Sequence, residues 1–124
     1  MSETQAPLRV ALVSVRFKLF DAQMGEGFPA RMHAHVERSA AVLERAFEVF
    51  RTPLIEDEGD AAAVARSLAG ERVDAVVFAP AMAAPPAYAA AALAMTDAPL
   101  VIWNAPSITR IPADYHQDEA TVHS

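Results

Sequence analysis

The side chains best placed to contact a small ligand directly follow three of the chain's apolar runs. Arg16, Phe17 and Lys18 follow the first run, Pro80 and Met82 follow a later one, and Trp103 and Asn104 follow the last. An indole face followed by an amide suits a polyol, because the ring stacks and the amide both donates and accepts hydrogen bonds. Trp103 also fits a core or domain-interface position, and Arg16 and Lys18 also fit a solvated loop. We expect these seven residues to be substrate-binding.

No spacing in the chain forms a complete catalytic or metal site. His33 and His35 are two apart, which on a helix separates them by about 200° of rotation, so both are expected at the surface. His116 and His123 lie near Asp118 and Glu119, which fits either a mixed nitrogen and oxygen site or flexible terminal polar residues. We therefore predict no catalytic and no metal-ligating residue.

Several classes of function are disfavoured by composition and motif. The formal net charge of −6 argues against nucleic acid as a partner. Neither GxGxxG nor GxxxxGK[ST] occurs, so nucleotide binding is disfavoured. No apolar run approaches the roughly 18 residues of a membrane span. The amino terminus lacks the pattern of a secretory signal, which makes the cytoplasm the expected compartment.

The elements that must position these residues alternate between strands and helices. The spacing of Met32, Val36, Ala40, Leu43, Phe47 and Phe50 predicts one helix that ends near residues 50–51. Asp60 is the predicted N-cap of the next helix, and Gly70 closes it. Pro85 and Pro86 predict the start of a third helix. The predicted strands are 8–14, 52–55, 73–79 and 100–103.

The alternation predicts an α/β fold, a three-layer sandwich with a doubly wound parallel sheet of the flavodoxin-like or Rossmann-like kind. The expected strand order is 2-1-3-4, with the switch point between the first and third strands. Continuous apolar runs predict that the third and fourth strands are covered on both faces. Residues 1–112 are expected to form one domain, and 113–124 a tail that leads toward a following domain.

Three segments carry a resemblance to a known family. RVALVSVRFKLFD, VDAVVFAPAMAAPPAYAAAAL and APLVIWN resemble the amino-terminal domain of the L-fucose and L-arabinose isomerase family. The resemblance runs from about Arg9 to the end of the chain. Arabinose isomerases have glutamine and histidine before a Leu-Tyr pair in the first loop, whereas Phe17 and Lys18 stand here. This difference argues against L-arabinose as the substrate.

The resemblance implies a metal-dependent aldose–ketose isomerase, often with manganese held in later domains. It implies no cofactor bound by this domain, which would instead complete a sugar pocket within a homotrimer or homohexamer and be inactive alone. Two alternatives remain open at this stage. One is a lobe of a periplasmic-binding-type sugar receptor or repressor, and the other is a stand-alone flavodoxin-like regulatory domain.

Overall fold

Four parallel strands form one sheet in the computed structural model, which describes residues 7–104 and Ala113. The strands are β1 (Arg9–Val13), β2 (Glu48–Arg51), β3 (Ala75–Phe78) and β4 (Leu100–Ile102). Their order is β2-β1-β3-β4, which confirms the predicted α/β, flavodoxin-like fold and its strand order. The predicted boundary at residue 112 and the tail over 114–124 lie outside the described residues.

Helices cover both faces of this sheet. They are α1 (Asp21–Met24), α2 (Phe28–Glu44), α3 (Glu58–Ala69) and α4 (Pro86–Leu93), and a 3₁₀ turn over Lys18–Phe20 precedes α1. Within residues 7–104, none of these helices is long and apolar enough to cross a membrane.

Alternating residues of the central strand supply two core layers, because successive strand side chains point to opposite faces. Ala11 and Val13 of β1 pack with Val64 and Leu68 of α3, in a layer that also includes Ala92 of α4. The other layer contains Val10, Leu12, Val77, Ala79 and Ala40, the last of which belongs to α2. The sheet is therefore covered by α2 on one face and by α3 and α4 on the other.

The boundary between α2 and β2 differs from the prediction. The apolar stripe predicted helix through Phe50, but α2 ends at Glu44 and β2 begins at Glu48. Phe47 and Phe50 fall at helical spacing by coincidence, since Phe47 packs on one core layer and Phe50 on the other. Parallel pairing with β1 fixes residues 48–51 as the strand, and this tertiary pairing overrides the helical pattern.

Residues 52–55, predicted as the second strand, continue beyond β2 as an interrupted ladder. Thr52 N donates to Leu12 O at 3.2 Å, and Ile55 N donates to Ser14 O at 3.0 Å. Pro53 lies between these two bonds and has no N–H to donate, so regular pairing stops there. A single parallel bridge between Val15 and Ile55 resumes it.

The sequence predicted Asp60 as the N-cap of α3, and this prediction is wrong. The N-cap is Asp57. Asp57 Oδ1 accepts a hydrogen bond from Asp60 N at 2.8 Å, while Asp60 Oδ2 accepts one from Glu56 N at 3.0 Å. The two carboxylates thus accept from one amide in the first turn of the helix and from one amide just before the N-cap. Gly70 is the C-cap, as predicted, with φ −88°, so it closes the helix in the right-handed region.

The expectation that β4 is covered on both faces is wrong. Leu100, Val101 and Ile102 are 48%, 50% and 71% exposed, although β3 is well buried at Val76 and Val77. β4 is an edge strand that pairs only with β3 among the described strands, so one row of its backbone groups has no strand partner there.

Candidate functional site

The carboxyl ends of β1 and β3 lie side by side at the switch point, where ligands of such sheets bind. Ser14 Oγ, which is buried, donates to Ala79 O at 2.6 Å. Ala79 N donates to Val13 O at 2.9 Å, and Ala81 N donates to Val15 O at 3.1 Å. These bonds extend the pairing of the two strands past their regular ends and keep the two following loops together.

A small apolar cluster fills the space directly above this pairing. Its members are Phe28, Met32, Ala81 and Met82, each at most 1% exposed. We call it the capping cluster. The connection over residues 17–27 lies against it through partly buried side chains, including Phe17, Phe20 and Met24. The long first connection is therefore a packed cap over the loop that follows β3.

An open pocket remains beside the capping cluster, on the face of the sheet that carries α4. It measures about 320 Å³, at the lower end of the volumes typical of small-molecule sites. Its lining is formed by Val15, Phe78, Pro80, Met82, Ala83, Ala84, Pro85, Pro86 and Ala89. We call it the proline pocket. None of its lining residues within 7–104 has an ionisable side chain, so this part of the chain offers the pocket apolar surface and backbone groups and no side chain for proton transfer.

Pro80 and Met82, predicted from their position after the third strand, both line the proline pocket. Met82 also fills the capping cluster, so it is shared between the cap and the pocket wall. The pocket is also lined by Pro85, Pro86 and Ala89. For this segment the sequence predicted only the start of a helix. Their signal was the location of the paired prolines between a strand end and a helix start.

Arg16, predicted as a ligand contact, has its charged group engaged within the protein. Its side chain is 3% exposed. Nη1 and Nη2 donate to the two carboxylate oxygens of Asp21 at 2.6 and 3.0 Å, and Nε donates to Glu56 Oε2 at 2.7 Å. The bonds to Asp21 raise the pKa of Arg16 above its ordinary value against the opposing effect of burial. The same bonds lower the pKa of Asp21.

The two residues after Arg16 differ in their surroundings. Phe17 is half-buried, with its ring edge-on to Phe20 at 5.5 Å and to Tyr88 at 6.2 Å between centroids. Lys18 is exposed and begins the 3₁₀ turn. The Phe17 and Phe20 rings therefore lie at either end of this turn and pack on each other. Neither Phe17 nor Lys18 lines the proline pocket.

Trp103 and Asn104 lie apart from the proline pocket. Trp103 is half-buried against the core layer formed by β1, β3 and α2, on the opposite face of the sheet from Val15 and Phe78. Its N–H donates to Phe78 O at 2.9 Å. Asn104 is exposed. Of the seven predicted residues, only Pro80 and Met82 line the proline pocket. The other five do not line it, although Phe17 packs against the neighbouring capping cluster.

A second, smaller pocket of about 170 Å³ lies beside α2 at the ends of β1 and β2. His33, Glu37 and Arg51 contribute its charged lining, and Glu37 accepts a hydrogen bond from Arg51 Nη1 at 2.6 Å. Glu37 and Arg51 are thus paired with each other, and nothing in the geometry of the described residues singles out a ligand.

The resemblance implies a divalent metal that is held in later domains, so the metal itself is not tested by this chain. Across residues 7–104 no group of three or more histidine, aspartate or glutamate side chains is arranged to hold an ion. His33 is exposed as expected, whereas His35 is buried at 6% exposure, contrary to the prediction of two surface histidines. His116 and His123 lie outside the described residues. No chemical step through a metal follows from these side chains.

Comparison with known proteins gives no family to this chain. No family model matches it, and no curated protein matches it at a significant level.

Proposed function

We propose that this chain is the amino-terminal domain of a metal-dependent aldose–ketose isomerase-like enzyme, in which it completes the sugar pocket and takes part in subunit assembly. The observation that carries this proposal is the proline pocket, which lies at the switch point of the sheet and has no ionisable side chain among its described lining residues. Such a pocket can hold the C–H face of a sugar, while acid–base chemistry is left to groups from elsewhere in the enzyme.

The character of the pocket also favours an uncharged ligand over a phosphorylated one. A phosphate group needs cationic side chains or a helix start that presents free amides. The nearest arginine, Arg16, is already bonded to Asp21 and Glu56. The start of α4 carries Pro86, which has no N–H to offer.

The role in assembly is supported by β4. Its apolar side chains are exposed and its outer backbone edge has no strand partner among the described residues. Edges of this kind pair readily with further strands, from the same enzyme or from another subunit. We expect the complete enzyme to cover this edge.

The pocket is tested by filling it. Ala89 lines the pocket, whereas Ala90 is its exposed neighbour on the same helix, so Ala89→Leu and Ala90→Leu form a matched pair. Titration of the ¹⁵N-labelled chain with L-fucose should shift the amides of Ala83, Ala84 and Ala89, and L-arabinose, which the first loop disfavours, serves as the comparison sugar. Ala89→Leu should abolish those shifts, and Ala90→Leu should retain them. Equal behaviour of the two variants, or the absence of any shift in the parent chain, would contradict the pocket assignment.

The division of labour is tested by activity. The purified 124-residue chain should not interconvert aldoses and ketoses when manganese is added. Robust turnover by this chain would refute the proposal that its acid–base groups lie elsewhere. Analysis of the reading frame on the far side of Ser124 adds an independent check, since the proposal requires further domains with spaced glutamate, aspartate and histidine.

A further inference from the structure

We propose that Arg16 is a positioning residue for the proline pocket: its buried ion pairs hold the segment of residues 17–24 in the place that sets the pocket wall. This inference rests on the proposed function for its sugar ligand. Its structural part, the coupling of Arg16 to the wall, can be tested without any sugar.

Arg16 differs from two other paired arginines of the chain in its burial. Its side chain is 3% exposed, compared with 31% for Arg9 and 41% for Arg51, although all three pair with two carboxylates. Burying a guanidinium is costly, and an apolar side chain of similar volume is often at least as stabilising at such a site. The presence of an arginine at this buried position is better explained by the geometry that it imposes on its carboxylate partners than by the stability that it adds.

The bonds of Arg16 join two connections at the carboxyl end of the sheet, the one between β1 and α2 and the one between β2 and α3. Asp21 is the first residue of α1, and Glu56 lies in the connection that enters α3. The backbone N–H of Arg16 also donates to Ile55 O at 2.9 Å. The two-oxygen contact with Asp21 fixes both the distance and the orientation of that carboxylate, since a guanidinium presents its N–H groups in a rigid plane.

The fixed segment reaches the pocket through aromatic contacts. Phe17 follows Arg16 directly, and its ring lies edge-on to Tyr88 at 6.2 Å. Tyr88 is in α4 between Pro86 and Ala89, which both line the pocket. Phe17 also packs against the capping cluster, whose Met82 lines the pocket from the other side. A shift of the segment would therefore displace both walls.

The occupied nitrogens of Arg16 argue against the simpler role of direct ligand contact. Nε, Nη1 and Nη2 each donate to a carboxylate, and the side chain is shielded from solvent. Three of its five N–H groups are thus committed to charge-assisted bonds, and at 3% exposure the side chain leaves a sugar almost no surface to contact.

The test compares Arg16→Met and Arg16→Lys with Arg9→Met as the matched control. Arg9 also pairs with two carboxylates, Glu48 and Glu71, but it lies at the amino end of β1. We expect Arg16→Met to weaken L-fucose binding by about tenfold at a temperature where the variant is fully folded. Arg16→Lys should recover part of this loss, and Arg9→Met should lower the melting temperature without changing sugar affinity.

A second measurement keeps the structural part independent of the sugar. In the absence of ligand, Arg16→Met should change the Phe17–Tyr88 ring contact seen in aromatic NOE spectra and should shift the Ala89 amide. If the parent chain binds neither sugar, the proposed function fails, and these spectra still decide whether Arg16 sets the wall. Unchanged ring contacts and sugar affinity, with only a lower melting temperature, would reduce Arg16 to a stabilising residue and overturn the proposal. If Arg16→Met does not fold, Asp21→Asn takes its place, because the Asp21 side chain is 35% exposed and keeps its shape as an amide.

Discussion

Replacing Trp103 with alanine separates the two roles that its sequence position allowed. The structure places this indole, half-buried, against the core layer that contains Val10, Leu12 and Val77. The proline pocket is on the other face of the sheet. We therefore expect Trp103→Ala to lower stability and to leave the affinity of the proline pocket for sugar unchanged.

The size of the effect follows from burial. Removing a fully buried tryptophan costs about 3–5 kcal/mol, and a half-buried ring should cost about 2 kcal/mol. For a chain of this length that corresponds to a fall in melting temperature of about 8 °C. The backbone bond from Trp103 N to Phe78 O survives the substitution, so β4 should keep its pairing with β3.

The assay is thermal unfolding followed by far-UV circular dichroism, with Asn104→Ala as the control. Asn104 is the exposed neighbour of Trp103, and its replacement should change the free energy of unfolding by less than about 0.5 kcal/mol. An unchanged melting temperature together with lost sugar binding in Trp103→Ala would refute the core assignment. It would return the end of β4 to the list of sugar contacts.

Three further substitutions test other features of the structure. Asp57→Ala should cost about 1 kcal/mol in urea unfolding, because it removes the N-cap of α3. Arg16 lowers the pKa of Asp21 below its ordinary 3.8, so Asp21 contributes stability above pH 3.8 that is lost as pH falls through its folded-state pKa. Asp21→Asn should therefore reduce the pH dependence of the free energy of unfolding over that window. Unaltered acid unfolding curves would contradict the pairing. Ile102→Lys should reduce concentration-dependent self-association in sedimentation velocity, because it charges an exposed apolar edge; undiminished association would place the contact elsewhere.

The strand order could be predicted from the sequence because it depends on coarse features. Short apolar runs separated by helical segments leave few topologies once crossovers are right-handed, and the order β2-β1-β3-β4 is the one that was predicted. Boundaries depend on finer balances. Phe47 and Phe50 continue the spacing of α2, and only their separate contacts with two core layers show that the helix has already ended.

The candidate site was predicted in part, for a related reason. Pro80 and Met82 were found because position after a strand can be recognised in a sequence. The role of Arg16 could not be found in that way, since one of its partners, Glu56, is 40 residues away. Whether a charged residue meets a ligand or another side chain depends on such distant pairs. Trp103 shows the same limit, because its position after β4 was predicted but the face that it occupies was not.

The central position of β1 has a consequence for how the chain acquires its fold during synthesis. β1 is made first, but it pairs with β2 on one side and with β3 on the other, and Ser14 lies 65 residues before its hydrogen-bond partner Ala79. On the ribosome, β1 therefore lacks its first partner until β2 has emerged, and one of its edges stays unpaired until β3 has emerged. Long-range parallel pairing of this kind is slow and leaves nascent strands open to aggregation. We expect the yield of folded protein during synthesis to depend on how well β1 is protected from aggregation before its partners emerge.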